Sequence, residues 1–440
     1  MAVRRPAGNE GGAAGAGYRR ALRRFSRDTW LFLATNAIFG FSIFGGIYTV
    51  LSNLYLLRLG YGPEFVGLAN SVGLVSFAAF SLVAGLGGRA DARRSMIWGL
   101  AFGTASFGLY PAVELLPEPA REAWLLGCVT LGGLAIALYL VNGNPYLTAA
   151  TGPEERGHAF SVRGALIPLA GVAGAVVGGL LPRLFALASG ASTDEPAPYR
   201  WALLLAAVLL VPATLLLAAT RPTRAAEASK RGAGAQSRSA WRAAPWAILG
   251  IMLLTASTRG AGVGAVRTFL NVYLDELLRL PTEQIGLLLG LGQLAAVPAT
   301  LATPLVIRRC GQRRAYALLS VANAGALLPL ALIPHWAAAA AGFTIGRAFS
   351  SMADTALVVF QMAVVTPRYR AMISGLSLTA GGLSWGLMAG VSGYLVAGAG
   401  YAWLFLTAAA CLALSAAVFS AYFRRPRGEL SPAPAVDPAR

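Results

Sequence analysis

Twelve long apolar stretches run through this 440-residue chain, at 30–57, 65–87, 95–115, 123–150, 159–188, 200–220, 245–275, 284–307, 315–334, 337–365, 371–397 and 401–422. A bilayer core takes about 20 residues of helix to cross. Chain of this kind has one stable solution in lipid, because a helix satisfies its own backbone where no water can. Composition agrees: 56% of residues are hydrophobic and 12% charged, against about 25% charged in a soluble domain. This excludes an ordinary soluble enzyme and a disordered regulator. The 52 glycines and 24 prolines are tolerated in membrane helices, where neighbours rescue freed backbone groups.

The connections are short, except for 221–244, which is rich in Arg, Ala, Ser and Gly. It reads as a solvated linker between a bundle at 28–220 and a second at 245–422. The tails, 1–27 and 423–440, are poor in apolar residues and read as disordered. The basic start followed by an apolar run raises a signal peptide. A signal's apolar core spans about 7–15 residues, so the longer run 30–57 is expected to stay as the first helix. The formal charge is +18, but the basic residues sit between apolar runs, which points away from nucleic acid. With both tails placed inside, most of the 36 lysines and arginines fall in cytoplasmic segments. That skew predicts an even number of spans and cytoplasmic termini in the cell (inner) membrane.

The two halves resemble each other. Asn53-Leu54-Tyr55 answers Asn271-Val272-Tyr273, and Glu64 with Gly67-Leu68 answers Glu283 with Gly286-Leu287. Arg89, Arg93 and Arg94 answer Arg308, Gln312 and Arg313, and Pro153 with Arg156 answers Pro367 with Arg370. Equivalent loops fall on the same membrane side, as in a parallel repeat about an axis along the membrane normal.

The loop after the second run reads Gly85-Leu86-Gly87-Gly88-Arg89-Ala90-Asp91-Ala92-Arg93-Arg94. It resembles the G-x-L-A-D-R-x-G-R-R loop of the major facilitator superfamily of secondary transporters. The first glycine and last two arginines match; Arg89 replaces the aspartate, with an acid displaced to Asp91. The second copy, Pro304 to Arg313, also puts arginine there, and carries Gly311 and Arg313. Ala170, Gly174, Ala175, Gly178 and Gly179 partly match the fifth-helix G-x-x-x-G-P-x-x-G-G of the family's exporters, without the proline. The same glycines also suit plain close packing of helices. The resemblance covers nearly all of 28–422. It implies an all-α polytopic membrane protein with two pseudo-symmetric six-helix bundles around a central cavity. It also implies a secondary transporter working by alternating access, and a conformational latch involving Gly85, Asp91, Arg93, Arg94, Gly311 and Arg313.

Polar residues inside spans usually face protein or water. They gather in runs 1, 4, 7 and 10: Asn36, Tyr48 and Asn53; Tyr139, Asn142 and Asn144; Arg259, Arg267 and Asn271; Arg347, Ser351, Asp354 and Gln361. These four runs are expected to line an aqueous path, as the same four do in the family that the chain resembles. Arg347 and Asp354 lie on one helical face, roughly 10 Å apart along the axis at 1.5 Å per residue. Arg347 suits an anionic group of a substrate, and Asp354 a proton or cationic group. The alternative is that each bonds to a neighbouring helix. Arg259 opens Arg259-Gly260-Ala261-Gly262-Val263-Gly264, whose glycines would let run 7 bend. Arg267 is expected to snorkel to the outer interface. Asn142 and Asn144, with Pro145, are expected to interrupt run 4 and either offer amides to a solute or bond between helices. Tyr48 and Tyr139 would serve the cavity wall or pack in the core.

There is no ATP-binding motif, and His158 and His335 with Cys128, Cys310 and Cys411 form no metal or disulfide pattern. No cofactor is expected. Asp354 is the clear titratable acid at membrane depth, which makes protons the coupling ion to test. Few deep acids and several arginines favour a neutral, amphipathic or anionic small molecule. The expectation is a monomeric transporter in the lipid bilayer, with efflux favoured over an uptake permease or facilitator. The rivals are a non-transporting sensor and a polytopic membrane enzyme.

Overall fold

The computed structural model describes residues 24–86, 91–221 and 246–425. Within them the chain forms twelve helices and no strand. In order these are α1 (Arg27–Arg58), α2 (Pro63–Leu86), α3 (Ala92–Leu115), α4 (Glu118–Ala150), α5 (Pro153–Ser189) and α6 (Pro196–Ala218), then α7 (Trp246–Glu276), α8 (Thr282–Cys310), α9 (Gln312–Leu332), α10 (Trp336–Val364), α11 (Pro367–Ala399) and α12 (Tyr401–Tyr422). Ten are long and apolar enough to cross a membrane. The other two, α10 and α11, have 29 and 33 residues, ample length at 1.5 Å per residue. Their apolarity is diluted by Arg347, Asp354 and Gln361 in α10 and by glycine and serine in α11. The expected linker 221–244 and both tails lie almost wholly outside the described residues, as does Arg89.

Three local expectations change. Run 1 is not one rod. It divides into Arg27–Ser42 and Ile47–Arg58, because Gly45 takes a left-handed φ of +87° that other residues avoid. Thr49 fastens the break: its hydroxyl donates to the Ile43 carbonyl (2.7 Å) and accepts from the Gly45 amide (3.1 Å). Run 4, by contrast, continues through Pro145 as one helix. The Asn142 amide and Thr148 hydroxyl donate back to the carbonyls of Leu138 and Asn144 of the same helix, each at 2.9 Å. Run 7 also runs straight through its glycines. They are packing sites instead: a methyl on Gly262 would come within 2.8 Å of the Ala408 carbonyl of α12, and one on Gly260 within 2.8 Å of Gly381 Cα in α11.

Helices α1–α6 form one bundle and α7–α12 the other, and the bundles meet where α2 packs on α11 and α5 on α8. The glycines of α5 serve this assembly. Gly174 and Gly178 receive the broken part of α1, and Gly179 receives Gly286 of α8, the close approach that small residues permit. The repeat is visible in three dimensions. Asn53 donates to the Thr268 carbonyl (2.8 Å), and Asn271 returns the bond to the Val50 carbonyl (3.0 Å), while the two amides touch at 3.2 Å. Repeat-equivalent residues thus meet across the pseudo-two-fold axis. Tyr55 and Tyr273, the next equivalent pair, reach the ends of α3 and α9: Tyr55 donates to Glu114 (2.8 Å) with the Pro111 carbonyl 3.3 Å away, and Tyr273 donates to the Leu330 carbonyl (3.4 Å).

Candidate functional site: a cleft open at one end

Arg27 and Tyr422 mark the near end of the molecule, and Arg58 and Glu276 the far end. Among the described residues, every hydrogen bond and ion pair between the halves lies from mid-height to the far end. Gln293 of α8 donates to the Gly45 carbonyl at the break in α1 (3.0 Å). Above it come the asparagine pair and Tyr199 with Thr282 (2.9 Å). At the rim, Arg58 binds both oxygens of Asp275 at 2.7 Å, and Arg183 reaches Glu283 at 3.0 Å. Among the described residues, these bonds tie the halves together at the far end, around a rim pocket lined by Arg58, Arg183, Tyr199, Asp275 and Thr282.

The packing order defines two walls facing the near-end opening. In the first half α4 packs on α2 and α1 on α5; in the second α10 packs on α8 and α7 on α11. The inner faces of α1, α4, α7 and α10 therefore border the cleft, the four helices whose polar residues singled them out.

On the second wall, Arg259 is only 4% exposed. Its Nε donates to Asp354 Oδ1 (2.8 Å), its Nη2 donates to the carbonyl (2.8 Å) and hydroxyl (3.2 Å) of Ser350, and the same Nη2 stands 2.6 Å from Asp354 Oδ1 in the ion pair. Asp354 keeps 62% of its side chain exposed, so the pair joins a buried cation to a wet carboxylate. Arg347 forms no ion pair with Asp354; it lines a small crevice between α7, α9, α10 and α12 with Arg267, Asn323, Phe343 and Leu412. Arg267 does not snorkel to the interface. Its guanidinium lies over the Trp385 ring of α11, 5.3 Å from the centroid, a cation–π contact. Ser351 bonds Thr300 of α8, and Gln361 donates to Ser377 of α11 at 3.1 Å. Both act as bonds between helices.

On the first wall the organising residue is Arg163 of α5, which the sequence did not single out. Its Nε donates to Asn36 of α1 (3.1 Å), its Nη1 to Asn144 of α4, and its guanidinium lies 5.6 Å from the Phe32 ring. Two expected residues, Asn36 and Asn144, thus converge on a third. Asn142 bonds back to its own helix. Tyr139 is fully buried with its ring 4.5 Å from that of Phe39, and Tyr48 packs on Phe107 and Tyr110. These two tyrosines belong to the first bundle's core.

Of the loop residues, Gly85 falls in the last turn of α2. Asp91 caps α3, accepting from the Arg93 amide at 3.0 Å, with Arg94 3.7 Å away. Arg93 reaches the end of α6, donating to Ala218 and to Thr220 (3.1 Å). Gly311 turns between α8 and α9 with a φ of +77°, and Arg313 reaches the carbonyls of Phe423 and Arg424 (2.9 Å) past α12. Arg93 and Arg313 each stand second in their helix and each reaches the end of the last helix of its own half, a correspondence one residue off the sequence pairing of Arg93 with Gln312.

The sequence profile of the Major Facilitator Superfamily matches residues 30–360 and, in a second alignment, 284–439. The chain belongs to the Major Facilitator Superfamily. The superfamily's solved structures agree in fold. The nucleoside transporter NupG, solved as a mutant, is 16% identical over 90% of this chain and 100% of its own, with a TM-score of 0.73. An inward-facing, unoccupied bacterial homologue of the human lysosomal transporter Spinster is 15% identical over 91% and 97%, at 0.70. A D-xylose–proton symporter is 12% identical over 92% and 98%, at 0.70. At these identities the likeness establishes the fold and says nothing of the solute. A search of curated protein sequences finds no match. Membership settles the class: this superfamily chain is a multi-pass membrane transporter of a small molecule and not an enzyme.

Proposed function

We propose that this chain moves its solute by alternating access through the cleft between α1, α4, α7 and α10, with Arg259, Asp354 and Arg347 forming the solute or coupling site. The observation that carries this is the union of two features. The far end is held by bonds that can separate, and at membrane depth Asp354, paired with Arg259, keeps 62% of its side chain exposed, as residues facing a water-filled cavity do. The basic skew of the loops supports placing the open end at the cytoplasm of the cell membrane. The cleft is complete within one chain, which supports a monomer. Proton coupling would run through Asp354, and a proton there must compete with Arg259 for the carboxylate. Export rests on the glycine pattern of α5, whose packing role suits either direction, so a flux assay decides it.

In proteoliposomes screened with a solute panel, with and without an imposed proton gradient, one solute should enter in a saturable manner. Arg347→Ala should lower that flux at least tenfold. Flux no greater than in protein-free vesicles for every solute would refute the carrier reading.

The far-end seal gives a second expected result. Asp275 is 8% exposed and receives two charge-assisted bonds from Arg58, each kind worth about 1.5–3 kcal/mol. Arg58→Gln should therefore shift the closed-to-open balance at that end by roughly tenfold or more. Labelling of a cysteine placed at Thr282 checks this, since the residue is 7% exposed while the seal holds. Unchanged labelling would show that the pair does not hold the seal.

A further inference from the structure

The rim pocket at the far end encloses about 550 Å³, within the roughly 300–1,000 Å³ of small-molecule sites. Its lining holds both partners of three bonds between the halves: Arg58 with Asp275, Arg183 with Glu283, and Tyr199 with Thr282. Arg58 also donates to the Thr193 carbonyl (3.3 Å), which ties the α5–α6 loop to the same cavity. Three arginines and three acids line it, Arg58, Arg183 and Arg279 with Asp194, Asp275 and Glu283. Two pairs of these hold the halves together. Arg279 and Asp194 are left over, and among the described residues neither side chain makes a hydrogen bond or ion pair. They line one cavity from opposite halves and do not pair with each other.

Arg279 also stands where its backbone is strained. Its φ is +52°, and it is the one non-glycine residue with a positive φ among the described residues. The repeat shows what this position takes without strain. Gly60 precedes Glu64 by as many residues as Arg279 precedes Glu283, and it closes α1 with a φ of +87°. In both turns the next amide reaches back into the helix, Tyr61 to the Leu56 carbonyl (3.1 Å) and Leu280 to the Leu274 carbonyl (3.0 Å). Glycine holds such a helix-ending turn with no side-chain penalty. Strain kept at one position, where the duplicate shows the relaxed solution, points to a use for the side chain. The side chain in question borders a cavity with an unmatched acid on its other side.

We propose that the rim cavity binds a small zwitterion, its carboxylate on Arg279 and its ammonium on Asp194, and that occupation locks the far end closed. The leftover charges decide the class of ligand. An anion alone would leave Asp194 unmatched, and a cation alone would leave Arg279. A zwitterion gives each a charge-assisted partner. The lock follows from the lining. The cavity is assembled from both halves and exists while they are tied, so its ligand binds the closed state and shifts the balance towards it. That role rests on the far end opening during the transport cycle. The bonds between the halves separate the cavity from the cleft, so the zwitterion regulates the carrier and is not its cargo.

The test uses the purified full chain in lipid nanodiscs, with glycine, β-alanine and γ-aminobutyrate as zwitterions of increasing span. Acetate, ethylammonium and glycerol are the anionic, cationic and neutral controls. At least one of the amino acids should raise Tm in a saturable way, and no control should. Arg279→Gly and Asp194→Asn should each weaken the apparent Kd at least tenfold, with Arg279→Lys in between. Arg279→Gly should keep or raise the ligand-free Tm, since glycine fits that turn, so its loss of binding is not a loss of fold. Gly286 does not line the cavity, but a side chain there presses α8 away from α5. Gly286→Leu should therefore also weaken binding at least tenfold, with Gly286→Ala in between. No binding by any of the three amino acids, stabilisation by a control, or parental affinity in Arg279→Gly overturns the site. Parental affinity in both Gly286 variants overturns the lock. Uptake of the bound amino acid into proteoliposomes would make it cargo and overturn the regulatory role. The binding results do not turn on flux, so a failed vesicle screen would sink the carrier reading alone.

Discussion

Asp354→Asn is expected to reduce transport by one to two orders of magnitude while costing only about 1–2 kcal/mol of stability. The two effects separate because the pair is lopsided. Removing one partner of a fully buried pair costs about 3–5 kcal/mol. Here the carboxylate is 62% exposed, and solvent screens much of the interaction. Arg259 also keeps the carbonyl and hydroxyl of Ser350. What the variant loses is the one carboxylate able to give up Arg259 when charge in the cleft changes. The double variant Arg259→Met/Asp354→Leu sharpens the point. Replacing an ion pair by apolar groups of similar size is often neutral or stabilising, so this protein should fold as well as the parent and still fail to transport. Parental flux in Asp354→Asn would remove Asp354 from the mechanism.

The second large effect is expected at Gly286. A Cβ there would approach Gly179 Cα to 2.8 Å and press on the Ala175 carbonyl. Both neighbours are backbone and cannot rotate away. Gly286→Leu should force α5 and α8 apart at the far end, beyond the 1–3 kcal/mol typical of overpacking a core. The outcome is a protein that holds its far end open: labelling of the Thr282→Cys site rises and transport falls at least tenfold. Gly127→Leu is the control, because nothing lies within 4 Å of a Cβ built at Gly127 in α4. Equal behaviour of the two variants would show that the α5–α8 contact does not govern the far end.

The helices and their duplication were legible because both depend on hydrophobic length and spacing, which survive in one dimension. Polar groups in α1, α4, α7 and α10 were conspicuous for the same reason in reverse, since they are rare in spans. The pairing of Asp354 with Arg259 was not, because it depends on which neighbour α10 leans towards, and the spacing of Arg347 drew attention along the helix instead of across it. Arg163 was missed because it lies near the basic start of its span and looks like one more cytoplasmic arginine. Asn36 and Asn144 were the signal for it: amide oxygens brought together on two helices need a donor. The break at Gly45 was hidden because paired glycines are common inside membrane helices, and Gly260–Gly264, with more glycine, stays helical. What differs is the partner set: Thr49 and Gln293 hold the free groups at the break, whereas the α7 glycines are enclosed by α11 and α12.

That break carries a mechanical consequence. The lower piece of α1 holds Asn36 against Arg163, and the upper piece holds Asn53 and Arg58 against α7. A continuous rod would oblige the recognition wall and the rim to tilt as one. A knee at Ile43–Gly46, braced by a single amide from the opposite half, frees the two limbs of α1 to tilt independently.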